Sequence, residues 1–179
     1  MGQIWFTADT HFLNPAIIKY CKRPISPEDH DDWLISRINE RVSKKDTLYI
    51  LGDISMANRY KTEIVLNRIN GYKHLIIGIH DSNIKNSTLF RSSTLIRTIT
   101  PRINNEKIKI VLCHYPLASW EDKALDSYHL HAHTHARFVN SGLSWDVGVD
   151  NNNYYPLSLE EVINLINIKN DKKSKRRIR

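Results

Sequence analysis

The apolar positions of this chain follow two different periods. Gln3–Ala8, Thr47–Leu51 and Lys73–Ile77 are short runs rich in β-formers and bounded by polar turns, which predicts three strands. Between them the spacing becomes helical. Asn14-Pro15 supplies a cap followed by proline at the first helical position. Ser26-Pro27-Glu28-Asp29 opens a second helix with acids in its first turn, and Trp33, Leu34, Ile38 and Val42 form its apolar stripe. Tyr60–Asn70 reads as a third helix, with Ile64, Val65 and Ile69 inward and Gly71 as its stop.

From Leu95 the texture changes. Leu95–Ile99 and Lys107–Cys113 flank Asn104-Asn105, a hairpin signal, and Tyr128–Ala132 and Leu143–Val149 add two more strands. Ser158-Leu159-Glu160-Glu161 is a capping box opening a last helix through Ile168. Strand–helix alternation followed by a strand-rich half predicts an α/β domain of two packed sheets with helices outside. That domain is expected over residues 1–168, with a basic, disordered tail over 169–179.

Composition narrows the class. The chain has 179 residues, 41% of them hydrophobic and 25% charged, which is enough for one domain with a sizeable core. No apolar run is long enough to span a bilayer, and the start carries no secretory pattern, so a cytoplasmic location is expected. Cys21 and Cys113 do not make a disulfide framework. The net charge of +7 is mostly local: residues 169–179 hold seven basic residues and one acid, so they carry six of those seven charges. Such a segment attracts nucleic acid or another polyanion without sequence preference, or serves only as a solubilising terminus.

Candidate chemistry sits at the ends of the strands. Five apolar runs lead into Asp9 and His11, Asp53, the Gly78-Ile79-His80-Asp81 turn, His114, and His133 and His135. In open α/β sheets ligands bind beyond the carboxyl ends of the strands. In Asp9-Thr10-His11 and His133-Thr134-His135, alternate residues of extended chain point the same way, so each pair can reach one ion. Carboxylate with imidazole suits a divalent ion such as Mn²⁺, Fe²⁺, Zn²⁺ or Ni²⁺. Two ions about 3.5–4 Å apart clamp a phosphoryl group and activate water at neutral pH. His129 and His131 read as supporting or packing residues, and His30 and His74 as surface residues. Tyr115 and Trp120 either stack on a base of a nucleotide substrate or pack in the core. Arg59 is a candidate substrate-phosphate contact.

These stretches together resemble the calcineurin-like metallophosphoesterases, small bacterial and phage members in particular. The family pattern reads Asp-x-His, Gly-Asp, Gly-Asn-His-Asp or Glu, a lone His, then Gly-His-x-His. It is matched in order by Asp9-Thr10-His11, Gly52-Asp53, Gly78-Ile79-His80-Asp81, Cys113-His114-Tyr115-Pro116 and Ala132-His133-Thr134-His135. The Asp146–Asp150 stretch and Tyr155-Pro156-Leu157-Ser158 resemble the ending of the small members. The resemblance implies a four-layer αββα sandwich hydrolysing a phosphate mono- or diester. It implies one metal on Asp9, His11, Asp53 and His135, and a second on Asp53, His114 and His133, with Asp53 bridging. His80, oriented by Asp81, would donate a proton to the leaving group or stabilise charge on the phosphoryl oxygens.

Two positions depart from the pattern. Ala132 stands for a glycine, a modest change where the backbone is not left-handed. Ile79 stands for the asparagine whose amide oxygen ligates the second metal, and isoleucine has no donor or acceptor. A weakened second site and reduced turnover follow from that loss. Three readings therefore stay open: a phosphoesterase slowed by Ile79, a phosphoesterase fold that binds phosphate or a partner without turnover, or a mononuclear site with only Asp9, His11, Asp53 and His135 strongly occupied.

Overall fold

The computed structural model describes residues 2–138 and 142–177. The first half of the chain runs β1 (Ile4–Thr7), α1 (Pro15–Cys21), α2 (His30–Arg41), β2 (Thr47–Ile50), α3 (Arg59–Asn67), β3 (Tyr72–Ile76) and β4 (Phe90–Thr94). The second half runs β5 (Ile96–Ile99), β6 (Arg102–Ile103), β7 (Glu106–Lys107), β8 (Ile110–Cys113), β9 (Tyr128–His131), β10 (Ser144–Asp146), β11 (Leu157–Ser158) and α4 (Leu159–Arg177). The fold is mixed α/β, as the alternation of periods predicts.

Two sheets carry it. The first has the order β11-β1-β2-β3-β4, with β1 to β4 parallel and β11 antiparallel at one edge. The second has the order β10-β9-β8-β5, with β5 antiparallel to its neighbour. A single residue, Leu95, separates β4 in one sheet from β5 in the other. The β6–β7 ribbon is the predicted hairpin tip, with Asn104 and Asn105 both at positive φ, as a primed turn requires.

Strand periodicity sorts the core into two layers. Trp5, Leu48, Ile50 and Leu75 pack with Leu34 and Ile38 of α2 and Val65 and Leu66 of α3. The alternate residues Phe6, Tyr49 and Ile76 pack instead with Ile110, Leu112 and Leu130 of the second sheet. The first sheet is thus buried on both faces, which explains why its strands are apolar runs rather than alternating ones. Helix α4 adds Leu159, Val162, Ile163 and Ile166 to the second cluster and lies against β1, β10 and β11. On the outer face of the second sheet, His129 is covered by Trp120 from the β8–β9 connection, at a ring separation of 5.0 Å.

Helix ends follow the local chemistry. The Asn14 side chain accepts from Ala16 N at 3.2 Å, with Pro15 opening α1. Ser158 and Glu161 close a reciprocal capping box, at 2.8 Å from Ser158 N to Glu161 Oε2 and 3.2 Å from Glu161 N to Ser158 Oγ. Helix α4 runs to Arg177, well past Ile168, because the lysines and arginines of the basic segment are good helix formers and favour a helix C-terminus. Ile178 and Arg179 lie outside the described residues. No helix among the described residues is long and apolar enough to cross a membrane.

Replacing the Ser158 cap by alanine is expected to cost about 1 kcal/mol. Urea unfolding should show a lower midpoint at unchanged slope.

Candidate metal centre

The pairing of β1 with β2 does not stop where the strands stop. Asp9 N donates to Gly52 O (3.1 Å), His11 N to Asp53 O (3.0 Å) and Phe12 N to Ile54 O (2.8 Å). Ala8 meanwhile bridges Gly148, beyond β10. The loops after β1, β2 and β9 and the turn after β10 are thereby drawn together at one end of the two sheets. They turn sharply: φ is 55° at Asp9, 48° at His11, 53° at Asp53, 72° at His133 and 47° at His135. Left-handed backbone costs a non-glycine residue roughly 1–2 kcal/mol. Five such residues in one place mark a site whose geometry the surrounding fold imposes. Ala132 is not among the left-handed residues, so alanine is tolerated there.

Glycine is required at two points of close approach. A Cβ on Gly52 would lie 2.7 Å from Gly78 Cα and 2.6 Å from His114 Nδ1, and one on Gly78 would lie 2.5 Å from Asp53 Oδ1. Asp81 fixes the same junction. Its fully buried carboxylate accepts from Asp53 N (2.9 Å), Ile54 N (3.0 Å) and Gly78 N (2.8 Å). The residue expected to orient His80 therefore anchors the loop that presents Asp53. His80 is tied in by its own backbone, N to Asp53 Oδ1 at 3.1 Å, and its ring lies 5.7 Å from that of His11.

The six expected metal-ligating residues gather into two triads. Asp9, His11 and His135 form one, and Asp53, His114 and His133 the other; within each, one donor atom per residue lies within 4.8 Å of the others. Asp53 Oδ2 links them, at 3.5 Å from His114 Nε2 and 3.7 Å from His11 Nε2. The hydrogen bonds leave donors to spare. His114 Nδ1 gives its proton to Leu51 O (2.7 Å), and His135 Nδ1 bonds Asp150 Oδ2 (2.7 Å), so each ring keeps Nε2 for the cluster. Asp9 Oδ2 accepts from His133 N (2.9 Å) while Asp9 Oδ1 has no partner. Both nitrogens of His11 and Nε2 of His114 are likewise buried without a hydrogen bond. Orphaned buried polar atoms cost about 1–3 kcal/mol each, and divalent ions would satisfy Asp9 Oδ1, His114 Nε2 and one nitrogen of His11.

Electrostatics point the same way. Burial pushes the Asp9 carboxyl from 3.8 up to about 7, against the pull of His135 and His114. Burial pushes His11 down to about 3, leaving a neutral imidazole. Burial alone would raise Asp53, but the adjacent His114 imidazole and the His80 amide hold it well below the usual range.

Other residues fall outside the triads. Arg59 pairs along its own helix with Glu63 at 2.8 Å. The Ile79 side chain is half exposed on the turn between Gly78 and His80. His129 has both nitrogens engaged, by Val111 O and Leu117 N, and supports the sheet. Tyr115 packs its ring 5.0 Å from those of His114 and His133. His30, expected at the surface, is buried, because Arg23 and Asp31 occupy its two nitrogens. Sequence reasoning missed Arg23 and Asp150 as parts of the site. It also missed the buried Asp146, which holds Thr134 Oγ1 (2.8 Å) and Gly148 N (2.8 Å).

Comparison with known proteins gives relatives without an assigned activity. The chain is 34% identical over 176 residues to the uncharacterized protein MJ1445 of Methanocaldococcus jannaschii, covering 93% of this chain and 92% of that one. It is 29% identical over 170 residues to the gene 66 protein of Mycobacterium phage D29, covering 80% and 84%. Among solved structures, a protein of unknown function from Aquifex aeolicus, AQ665, shares the fold with a TM-score of 0.71 at 20% identity, over 93% of this chain and all of that one. No family model matches the chain.

The raised Asp9 carboxyl has a stability consequence in chelator. Its neutral form is favoured in the folded state, so the associated stability is full below about pH 4 and declines as pH rises to about 7. In EDTA, Asp9→Asn should therefore melt at a higher temperature than the parent at pH 8 and at nearly the same temperature at pH 4. A thermal melt at both pH values checks the sign.

Proposed function

We propose that this chain, which belongs to one family with the uncharacterized protein MJ1445, is a metal-dependent phosphoesterase that works with two divalent ions. The observation that carries the reading is the set of buried, unpartnered donors on Asp9, His11 and His114 inside two triads joined by Asp53. In this reading Asp9, His11, Asp53 and His135 hold one ion, Asp53, His114 and His133 hold the other, and residues 1–168 form one metallophosphoesterase domain of two packed sheets. Bound ions would supply Lewis acidity at the phosphoryl oxygens and a water acidic enough to attack at neutral pH. The protein's own residues do the rest. Asp150 and Leu51 O fix the tautomers of His135 and His114, so that both offer a lone pair rather than a proton. His80 donates a proton to the leaving oxygen of a phosphate mono- or diester. The basic segment 169–179 adds salt-sensitive attraction for nucleic acid or another polyanion.

Ile79 favours a second reading, a phosphate-binding module without turnover. Its half-exposed aliphatic side chain stands beside His80 and offers no ligand atom, which leaves the second triad without a contribution from that turn.

Hydrolysis of p-nitrophenyl phosphate and bis-p-nitrophenyl phosphate with Mn²⁺ separates the two readings. The enzyme reading expects turnover that EDTA abolishes. It also expects Asp53→Asn to lower that turnover by more than the roughly 10–100-fold typical of losing a residue behind a metal ligand. Absence of turnover with Mn²⁺ present favours the binding module. Ile79→Asn is expected to raise the rate by on the order of 10²–10³-fold, the worth of one transition-state donor.

A further inference from the structure

Arg23 is a buried guanidinium with all five of its N–H donors in use. Nε and Nη2 grip Asp150 Oδ1 and Oδ2 in a fork, at 2.9 and 2.8 Å. Nη2 also donates to Asp9 O (2.7 Å), and Nη1 donates to Thr10 O (2.8 Å) and to His30 Nε2 (2.8 Å). Because arginine only donates, His30 Nε2 must accept there, and its Nδ1–H is left to bond Asp31 Oδ1 (2.9 Å). Asp31 in turn accepts from Leu13 N (3.0 Å), so the network reaches back to the loop after β1.

The targets of these bonds are not spread evenly. Two are the carbonyls of the loop that carries Asp9 and His11. Two more are the oxygens of Asp150, which itself holds His135 Nδ1. One planar cation thus braces all three members of the first triad, whose donors come from distant stretches of the chain. Its bonds reach neither Asp53, His114 nor His133. The fork also pairs the buried Asp150 carboxylate with a full positive charge, which offsets the cost of its desolvation.

We propose that Arg23 is a positioning residue for the Asp9–His11–His135 triad, holding those donors at ion-binding separation while leaving the Asp53–His114–His133 triad to itself. The proposal rests on the two-ion reading of the site. A lysine cannot replace it fully, because an ammonium cannot form the fork on Asp150 and reach both carbonyls at once.

The test is Co²⁺ titration followed by visible absorption, with each triad isolated in turn. His114→Ala disables the second triad and His135→Ala the first. In the His114→Ala background, adding Arg23→Gln should weaken Co²⁺ binding by about 10–100-fold, with Arg23→Lys intermediate. In the His135→Ala background the same change should move the affinity by less than about 2-fold. Equal weakening in both backgrounds, or none in either, overturns the proposal. Where Arg23→Gln does not fold, Arg23→Lys is read in the same pair of backgrounds. Failure of both to fold makes Arg23 a structural strut and also overturns it. A parent protein that takes up no Co²⁺ sinks the two-ion reading itself, a result distinct from a parent that binds while Arg23 variants bind equally well.

Discussion

The constraint on which the site depends is the contact between two glycines. Gly52 and Gly78 pass backbone to backbone at a distance that any β-carbon would violate. This approach brings the turn after β3 under the turn after β2, where the buried Asp81 carboxylate can reach three amides at once. Asp53 is then presented upward between His11 and His114. Without that contact, the two parallel strands would still pair, but the carboxylate joining the triads would have no fixed place.

Around this junction the fold concentrates what proteins ordinarily avoid. Asp9, His11, Asp53, His133 and His135 are all left-handed, several polar atoms are buried without partners, and two carboxylates and several imidazoles share a largely buried space. The compensation is structural and lies close by. A first sheet packed on both faces, the continued β1–β2 ladder, and side chains such as Asp146 and Asp150 hold the loops rigid. Local rules fail where the chemistry is, and they fail in a body whose remaining parts obey them.

Much of this was legible in the sequence because strand ends are local. An apolar run followed by Asp or His announces both the element and the residue it presents, and all six residues so marked do converge. Caps were equally legible, since Asn14-Pro15 and Ser158 with Glu161 act over three or four positions. What escaped depends on distance along the chain. Arg23 stands between Lys22 and Pro24 in a polar stretch and looks like any surface cation, and its main partner is 127 residues away. His30 is buried against Arg23, which takes its Nε2, while Asp31 takes its Nδ1. Strand β4 reads Phe-Arg-Ser-Ser-Thr, with no alternation to betray it, and forms by pairing parallel to β3. The outer face of the second sheet was expected to carry helices; an indole against an imidazole covers His129 there.

Each triad draws its donors from widely separated stretches of the polypeptide. Asp9 and His11 wait for His135, and Asp53 waits for His114 and His133. During synthesis, therefore, neither triad is complete until the ribosome has passed residue 133 for one and 135 for the other. Each triad takes residues from the ends of strands in both sheets, so its ion-binding geometry exists only once the two sheets have packed together.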